Sequence, residues 1–256
     1  MTDRNKLNCA LDGRGFLEID PRLYIQDMEE EIRMDAGTVD RPAYGQRLAG
    51  MTGHRALHVI IRFMVKEADF AARRRVINQV NAWAKAGWLT MSTRPGQRIY
   101  AVCIQPAESG TLRWNREMQL TLAAYGEAYW QDMFPAAASG RGRTGSVALR
   151  PLGTRPCCLE GDIGNLSAGT LNSLSLTAEN QTLAFSGLGL APGKTLALWY
   201  DGEGVLHAEA EGSGKLCCRT AESADDLWLQ PQAENTVRFS ADRECSVTLK
   251  ARGYYD

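Results

Sequence analysis

The sequence predicts a mainly β protein of the α+β class, with two domains and one amphipathic helix. The chain has 256 residues, which exceeds the usual size of a single domain. Residues 68–104 combine one helical period with two short alternating runs. Beyond residue 146, short alternating runs recur between turn residues and no helical period is present.

The helix is predicted in the part of residues 68–104 that precedes Gly87. Its apolar side chains fall three and four positions apart and share one face: Val76, Ile77, Val80, Trp83 and Ala84. Gly87 is expected to end the helix in the left-handed conformation. Two strands, 88–91 and 98–104, should follow as a hairpin joined by Pro95-Gly96. The helix therefore needs a sheet on which to bury its apolar face.

The rest of the first half is predicted as strands. Residues 8–17 fit a short strand around an Asp12-Gly13 turn, and residues 54–65 are the clearest strand because apolar residues alternate. Another strand lies in 23–32, where the acidic run Glu29-Glu30-Glu31 is expected to interrupt it. We interpret this run as a solvated edge in preference to a catalytic acid, since three successive like charges indicate no shielded site. Residues 111–125 are predicted as the closing strand.

Residues Arg33 to Gly53 have no clear period and are rich in Gly, Arg and Asp. We interpret them as a long excursion, an extended hairpin that leaves the core. Long excursions from compact domains are usually functional, often as contacts to a neighbour. This segment is therefore the first candidate for an interface.

The stretch Ala136 to Ser146, AAASGRGRTGS, is predicted as a linker. It gives domain bounds of 1–140 and 146–256. The second domain is predicted as an all-β sandwich or jelly roll. Its turns are predicted at Asn180, Pro192-Gly193, Asp201-Gly202 and Ala241-Asp242.

Composition argues against several classes of protein. The formal net charge is −1, and residues 1–140 carry 18 basic and 16 acidic side chains, so neither half predicts a nucleic-acid groove. No apolar leader and no run of 18 apolar residues occurs, so we expect neither a signal peptide nor a membrane span. The seven cysteines are odd in number and include the adjacent pairs Cys157-Cys158 and Cys217-Cys218, which favours mostly reduced thiols in a protein that folds in a cytoplasm. They have no Cys-x-x-Cys spacing, so we assign them no metal.

No motif predicts a catalytic, cofactor-binding or metal-binding residue. His54 and His58 would stand about 13 Å apart on a strand, too far to share an ion. Residues 187–195, GLGLAPGKT, miss the phosphate-loop spacing by one residue, and Pro192 removes a backbone donor, so a turn is predicted there. Pairs of carboxylates that only the fold brings together stay open.

Aromatic residues cluster towards the end of the first half, at Tyr125, Tyr129, Trp130 and Phe134. Such a cluster could stack bases or sugars. At the end of a domain, core and rim packing is the favoured interpretation.

Several stretches resemble the distal tail proteins of bacteriophages with long, non-contractile tails. In the first half these are RALHVIIRFMV, VNAWAKAGWLTM, RPGQRIYAV and LRWNREMQLTLAAYGEAYW. In the second half they are SLTAENQTLAFSGLGLAPGKTLALWY, LWLQPQAENTVRF and CSVTLKARGYYD. The sequence departs from the family at Pro231-Gln232, where the family often has Pro-Gly.

The resemblance implies a ring-forming first domain and a galectin-like β-sandwich as the second. Six copies would form a ring around the tail channel, each with an extended hairpin clasping the next subunit. Such a virion or prophage protein joins the tail tube protein to the tail-tip and receptor-binding proteins. It would be located at the virion tail tip after assembly in the bacterial cytoplasm. No enzyme activity, no cofactor, no membrane and no sequence-specific nucleic-acid contact is implied.

Two other functions stay open from sequence. The second domain could be a carbohydrate-binding module for host-surface adhesion, with Trp199, Tyr200 and Trp228 offered to a sugar. We interpret these tryptophans as core, because Trp199 lies within an apolar run. A small hydrolase acting on cell-wall polymer would depend only on carboxylates that the sequence does not exclude.

Overall fold

The computed structural model describes residues 7–35, 38–41, 45–48, 54–108, 117–124, 130–202 and 204–255. This part of the chain is mainly β with one α-helix, as predicted. The chain divides into two compact units, Met1–Tyr129 and Trp130–Asp256.

Unit 1 is an antiparallel sheet with one helix, α1 (Phe70–Trp83). Its strands are β1 (Cys9–Leu11), β2 (Arg14–Gly15), β3 (Leu23–Asp35), β4 (Thr38–Arg41), β5 (Gly45–Leu48), β6 (His54–Val65), β7 (Gly87–Met91), β8 (Gln97–Gln105) and β9 (Glu117–Ala124). Seven of them follow the order β2-β1-β7-β8-β9-β6-β3, while β4 and β5 form a separate two-stranded sheet. The predicted strand 54–65 and the hairpin β7–β8 are confirmed. Of the predicted closing strand 111–125, residues 117–124 form β9, and residues 111–116 and 125 lie outside the described part.

Helix α1 buries the face that its periodicity predicts. Val76 and Val80 are fully buried, and the Asp69 carboxylate caps the first turn by accepting the Ala72 N–H at 2.7 Å. Trp83 packs edge-on against Phe16 and donates from Nε1 to the Arg14 carbonyl at 2.8 Å. The helix is therefore fixed to β2 by a hydrogen bond and to Phe16, the residue that follows β2, by an aromatic contact.

The predicted role of Gly87 is wrong, because α1 ends at Trp83 with Ala84 as its C-cap and Gly87 begins β7. A Cβ at Gly87 would clash with Oδ2 of Asp12. The Asp12 carboxylate occupies this space and accepts the N–H of Trp88 at 2.8 Å. Gly87 is therefore needed for a close approach between β7 and the β1–β2 turn.

Unit 2 is entirely β apart from one short 3-10 turn within the described residues. Its strands are β10 (Trp130–Asp132), β11 (Ala136–Leu149), β12 (Cys157–Asn165), β13 (Leu171–Ala178), β14 (Gln181–Leu190), β15 (Thr195–Tyr200), β16 (Leu206–Ala210), β17 (Ser213–Gly214), β18 (Trp228–Leu229), β19 (Asn235–Ala251) and β20 (Tyr254–Tyr255). The main path is β14-β13-β19-β12-β15-β16-β17, with β11 paired to β19 and β18 to β12. The all-β prediction for this half of the chain is confirmed.

Two predictions fail along the pair β11–β19. Residues 136–146, predicted as a linker, belong to strand β11, which pairs with β19 from Ala136↔Ala251 to Leu149↔Asn235. Small residues such as Ala, Gly and Ser are compatible with a paired strand. The abundance of these residues in 136–146 is therefore not a sign of a linker. The turn predicted at Ala241-Asp242 is a register shift inside β19, where 241–244 stand opposite Arg143. Strand β19 therefore pairs with β13 before the shift and with β12 after it.

Residues 215–229 form hydrogen bonds with strands near both ends of this sheet. Lys215 donates its N–H to Ala208 of β16, and Thr220 donates to Ala184 of β14. Further along, Leu159 of β12 donates to the carbonyl of Leu227. In every long strand from β12 to β16 and in β19, alternate residues are buried. These strands therefore share a single core.

Two buried asparagines satisfy backbone groups in unit 2. Asn165, which is fully buried, donates to the carbonyls of Gly169 and Leu190 and accepts from Ser167. Asn235 donates to the carbonyls of Gln230 and Ala233. These amides fix loop ends that have no strand partner.

The seven cysteines all lie in the described part and are free thiols in this structure. Burial raises the pKa of the Cys9, Cys157 and Cys158 thiols to about 12 each. Among the described residues, no helix has the length and apolarity needed to cross a bilayer.

Candidate assembly surface

The predicted hairpin in residues 33–53 is present in its described parts. Strands β3 and β6 pair up to Asp35↔His54, and the chain between them forms the hairpin β4–β5. In the described part of the chain, β4 and β5 pair only with each other. Residues 36–37, 42–44 and 49–53 of the predicted excursion lie outside the described residues.

Strand β3 is the outer edge of the main sheet of unit 1. It runs unbroken through Glu29-Glu30-Glu31, so the predicted interruption is wrong. Side-chain alternation sends these carboxylates in different directions, and each has an arginine: Arg62 for Glu29, Arg94 for Glu30 and Arg33 for Glu31. The interpretation of the run as an edge is confirmed.

Large apolar side chains are exposed along the same edge. Tyr24 is 41% exposed and Ile32 is 52% exposed. Arginine partners neutralise the neighbouring carboxylates, and Arg33 lowers the pKa of Glu31 mainly through its hydrogen bond. We call β3 together with the hairpin β4–β5 the assembly surface, because it combines an open strand edge with exposed apolar groups.

Arg22 holds the start of β3 between two carboxylates. Its guanidinium donates to both oxygens of Asp20, at 2.9 and 2.8 Å, and to Glu67 at 2.8 Å. The hydrogen bond from Arg22 is the main reason that the pKa of Asp20 is lowered. This network fixes β3 to the segment that leads from β6 into α1.

The candidate aromatic residues occupy different environments. Trp130 is fully buried, whereas Phe134 is 82% exposed and so does not join a packed cluster. Tyr125 and Tyr129 lie outside the described residues. In unit 2, Tyr200 and Trp228 are half-buried.

Trp199 contradicts its predicted place in the core, because it is 39% exposed. Residues 195–200 form β15, and alternation turns Leu196 and Leu198 inward and Trp199 outward. An apolar run was therefore an insufficient sign of burial.

Both His54 and His58 belong to β6; His58 is buried, and the side chain of His54 lies outside the described part. More generally, within the residues that the structure describes, no three His, Cys, Asp or Glu side chains are grouped to hold a metal. Residues 187–195 are the end of β14, a turn with Gly193 at φ +74°, and the start of β15, as predicted.

Two antiparallel β units, one with a single helix and a separate hairpin, define a β-rich α+β fold. This is the fold of the Dit (gp 19.1) protein of SPP1, described as a paradigm of the hub adsorption apparatus in phages that infect Gram-positive bacteria. The match has a TM-score of 0.58 and 13% identity, and it covers 97% of this chain and 99% of that chain. The baseplate of phage P2, in its activated conformation with Ca, matches with a TM-score of 0.49 and 4% identity over 97% of each chain. No family profile matches the sequence, and no curated protein matches it.

Proposed function

We propose that this chain is a distal tail protein, a structural hub subunit of a phage or prophage tail. The observation that carries the proposal is the likeness to SPP1 Dit over 97% of this chain and 99% of that chain, which includes both units. The proposed work of the protein is mechanical, with no catalytic step.

The proposed ring has six copies joined head to tail through unit 1. The hairpin β4–β5, whose strands pair only with each other among described residues, supports a clasp on the next subunit. The exposed edge β3 offers backbone groups and apolar side chains beside that hairpin. A heterologous contact of this kind generates a closed ring when its rotation closes.

Unit 2 is proposed as the galectin-like domain at the periphery of the ring. Its proposed partners, and those of the ring, are the tail tube protein and the tail-tip and receptor-binding proteins. The proposed location is the virion tail tip, after assembly in the cytoplasm of the host.

The test removes the clasp while keeping the sheet. Strands β3 and β6 pair at Asp35↔His54, so residues 36–53 can be replaced by Asn-Gly, a dipeptide suited to a two-residue hairpin. We expect light scattering to give about six times the mass of one 28.2 kDa chain for the parent protein. The variant should be a folded monomer, with an unchanged circular dichroism spectrum.

A matched control alters a turn in unit 2. Ala178 and Gln181 pair across Glu179-Asn180, and this turn can also be changed to Asn-Gly. That variant should keep the mass of the parent. Loss of the assembly in both variants, or in neither, would contradict a clasp formed by residues 36–53.

A further inference from the structure

Two adjacent thiols lie at the surface of unit 2. Cys217 is exposed and Cys218 is half-buried, and both belong to the short 3-10 turn Leu216–Cys218. The other adjacent pair, Cys157-Cys158, is buried in strand β12, and burial raises the pKa of both of its thiols to about 12. Two consecutive cysteines therefore occur once where reagents in solution reach them and once in the core.

Backbone hydrogen bonds hold the 3-10 turn on both sides. Before the turn, Lys215 donates its N–H to the carbonyl of Ala208 at 2.7 Å, and after it Thr220 donates to the carbonyl of Ala184 at 2.9 Å. Inside the turn, the N–H of Cys218 donates to the carbonyl of Lys215 at 2.9 Å. The turn is thus fixed to β16 at one end and to β14 at the other, and it keeps the two thiols side by side.

The two thiols have different surroundings. Sγ of Cys218 donates to the carbonyl of Gly187 at 3.4 Å. The pKa of Cys218 is raised, mainly by burial and then by a hydrogen bond with Cys217. Because an accessible thiolate is the reactive form of cysteine, Cys217 meets an external reagent first. Cys218 then lies within reach of whatever group becomes attached to Cys217.

We propose that Cys217 and Cys218 form a reversible exchange site for low-molecular-weight disulfides. The Cys217 thiolate attacks a disulfide RSSR, so a mixed disulfide forms on Cys217 and one RS⁻ leaves. Cys218 then gives its proton to solvent, and its sulfur attacks Sγ of Cys217. A disulfide between the two residues forms, and the second RS⁻ leaves. The two thiols together lose two protons and two electrons, and RSSR takes up the two electrons as it becomes two thiolates.

The geometry of consecutive residues makes this disulfide reversible. Neighbouring Cα atoms are about 3.8 Å apart, whereas residues joined by a disulfide usually have Cα atoms about 4.4–6.8 Å apart. Strained and exposed disulfides are more easily reduced than structural ones, so the thiols of a cytoplasm reopen such a bond. Closure is the slower of the two steps, because burial raises the pKa of Cys218.

Closure within one chain competes with cross-linking between chains. An exposed residue that carries a mixed disulfide also reacts with thiols of other copies, but Cys218 is on the same turn and has the higher effective concentration. A tail subunit that leaves a reducing cytoplasm with the virion would thereby avoid cross-links at this surface. This role rests on the proposed function, whereas the exchange chemistry depends only on the turn.

The test exposes the full chain to excess glutathione disulfide at about pH 8 and follows its intact mass. The parent should gain one glutathionyl group and then lose it, which leaves a protein lighter by two hydrogen atoms. Peptide mapping should locate the new bond between Cys217 and Cys218. Cys218→Ser should keep the adduct, at a final level at least about tenfold above that of the parent. Cys217→Ser should form little adduct, because the accessible thiol is absent.

Cys103→Ser is the matched control. Cys103 is also half-buried, but it lies on β8 in unit 1 and has no adjacent cysteine. This variant should close at the rate of the parent, and circular dichroism should show that all variants fold. A stable adduct on the parent, no reaction at residues 217–218, or equal adduct levels in the parent and Cys218→Ser would overturn the proposal. The mass of the assembly is measured separately under reducing conditions, so either result leaves the test of the hub role intact.

Discussion

Arg94 and Glu30 form a two-pronged ion pair that joins the β7–β8 turn to the acidic edge strand β3. Nε of Arg94 donates to one carboxylate oxygen at 3.0 Å, and Nη2 donates to the other at 2.9 Å. Strands β9 and β6 lie between β8 and β3 in the order of the sheet, so the pair joins parts of unit 1 that are not neighbours in the sheet.

A double-mutant cycle on this pair should give a measurable coupling energy. We expect Glu30→Gln and Arg94→Gln to couple by about 1 kcal/mol, because the geometry is bidentate and both side chains are at most about one-third exposed. Urea unfolding of the four proteins measures this. The pair Arg33–Glu31, with side chains 51% and 46% exposed, is the control and should couple by at most about 0.5 kcal/mol. Equal coupling in both cycles would contradict a special role for Arg94.

Asn165→Ala should destabilise unit 2 by at least about 2 kcal/mol. The substitution leaves the N–H of Ser167 and the carbonyls of Gly169 and Leu190 without their side-chain partner in a buried place. Chemical denaturation followed by circular dichroism measures the loss. Asn172→Ala, at an exposed position, should change stability by less than about 0.5 kcal/mol. A small effect at Asn165 would mean that the loop finds other partners.

Acid should weaken unit 1 through Asp20. Arg22 lowers the pKa of Asp20 in the folded state, so this carboxylate stabilises the fold above its unfolded pKa of about 3.9. That stabilisation is lost as the pH falls through the folded pKa. Asp20→Asn should therefore flatten the decline in urea midpoint between about pH 5 and pH 3. A curve for Asp20→Asn that runs parallel to that of the parent would refute the assignment.

The thiols should differ strongly in reactivity. Cys217 is exposed, whereas the pKa of Cys9, Cys157 and Cys158 is raised to about 12 by burial. Because the thiolate is the reactive form, a disulfide reagent at pH 8 should modify Cys217 early and the other three only on unfolding. Cys217→Ser should remove about one thiol from the fast phase. Fast labelling of Cys157 in the native protein, located by peptide mapping, would contradict this burial.

The spacing of apolar residues predicted the helices and strands that have one buried face. The helix face of Val76 and Val80, the strand 54–65 and the strand 195–200 follow from the spacing of apolar residues. The β4–β5 hairpin was inferred from absent periodicity and the high content of glycine. These features depend on short stretches of chain, and so the sequence alone was sufficient for them.

Long-range pairing decided the cases in which the predictions failed. The Gly-rich stretch at 136–146 is a strand only because β19 lies beside it, about a hundred residues later in the chain. Trp199 is outside because its strand has one buried face, which an unbroken apolar run does not reveal. At Gln232 the backbone adopts φ +57°, a conformation that favours glycine, without a glycine at that position.

Unit 2 begins and ends in the same place. Trp130 pairs with Tyr255, and Ala136 pairs with Ala251, so its first strands are completed by its last ones. During synthesis, β11 therefore has no partner strand in unit 2 until β19, about a hundred residues later in the chain, has been made. A chain that stops before β19 cannot close this unit.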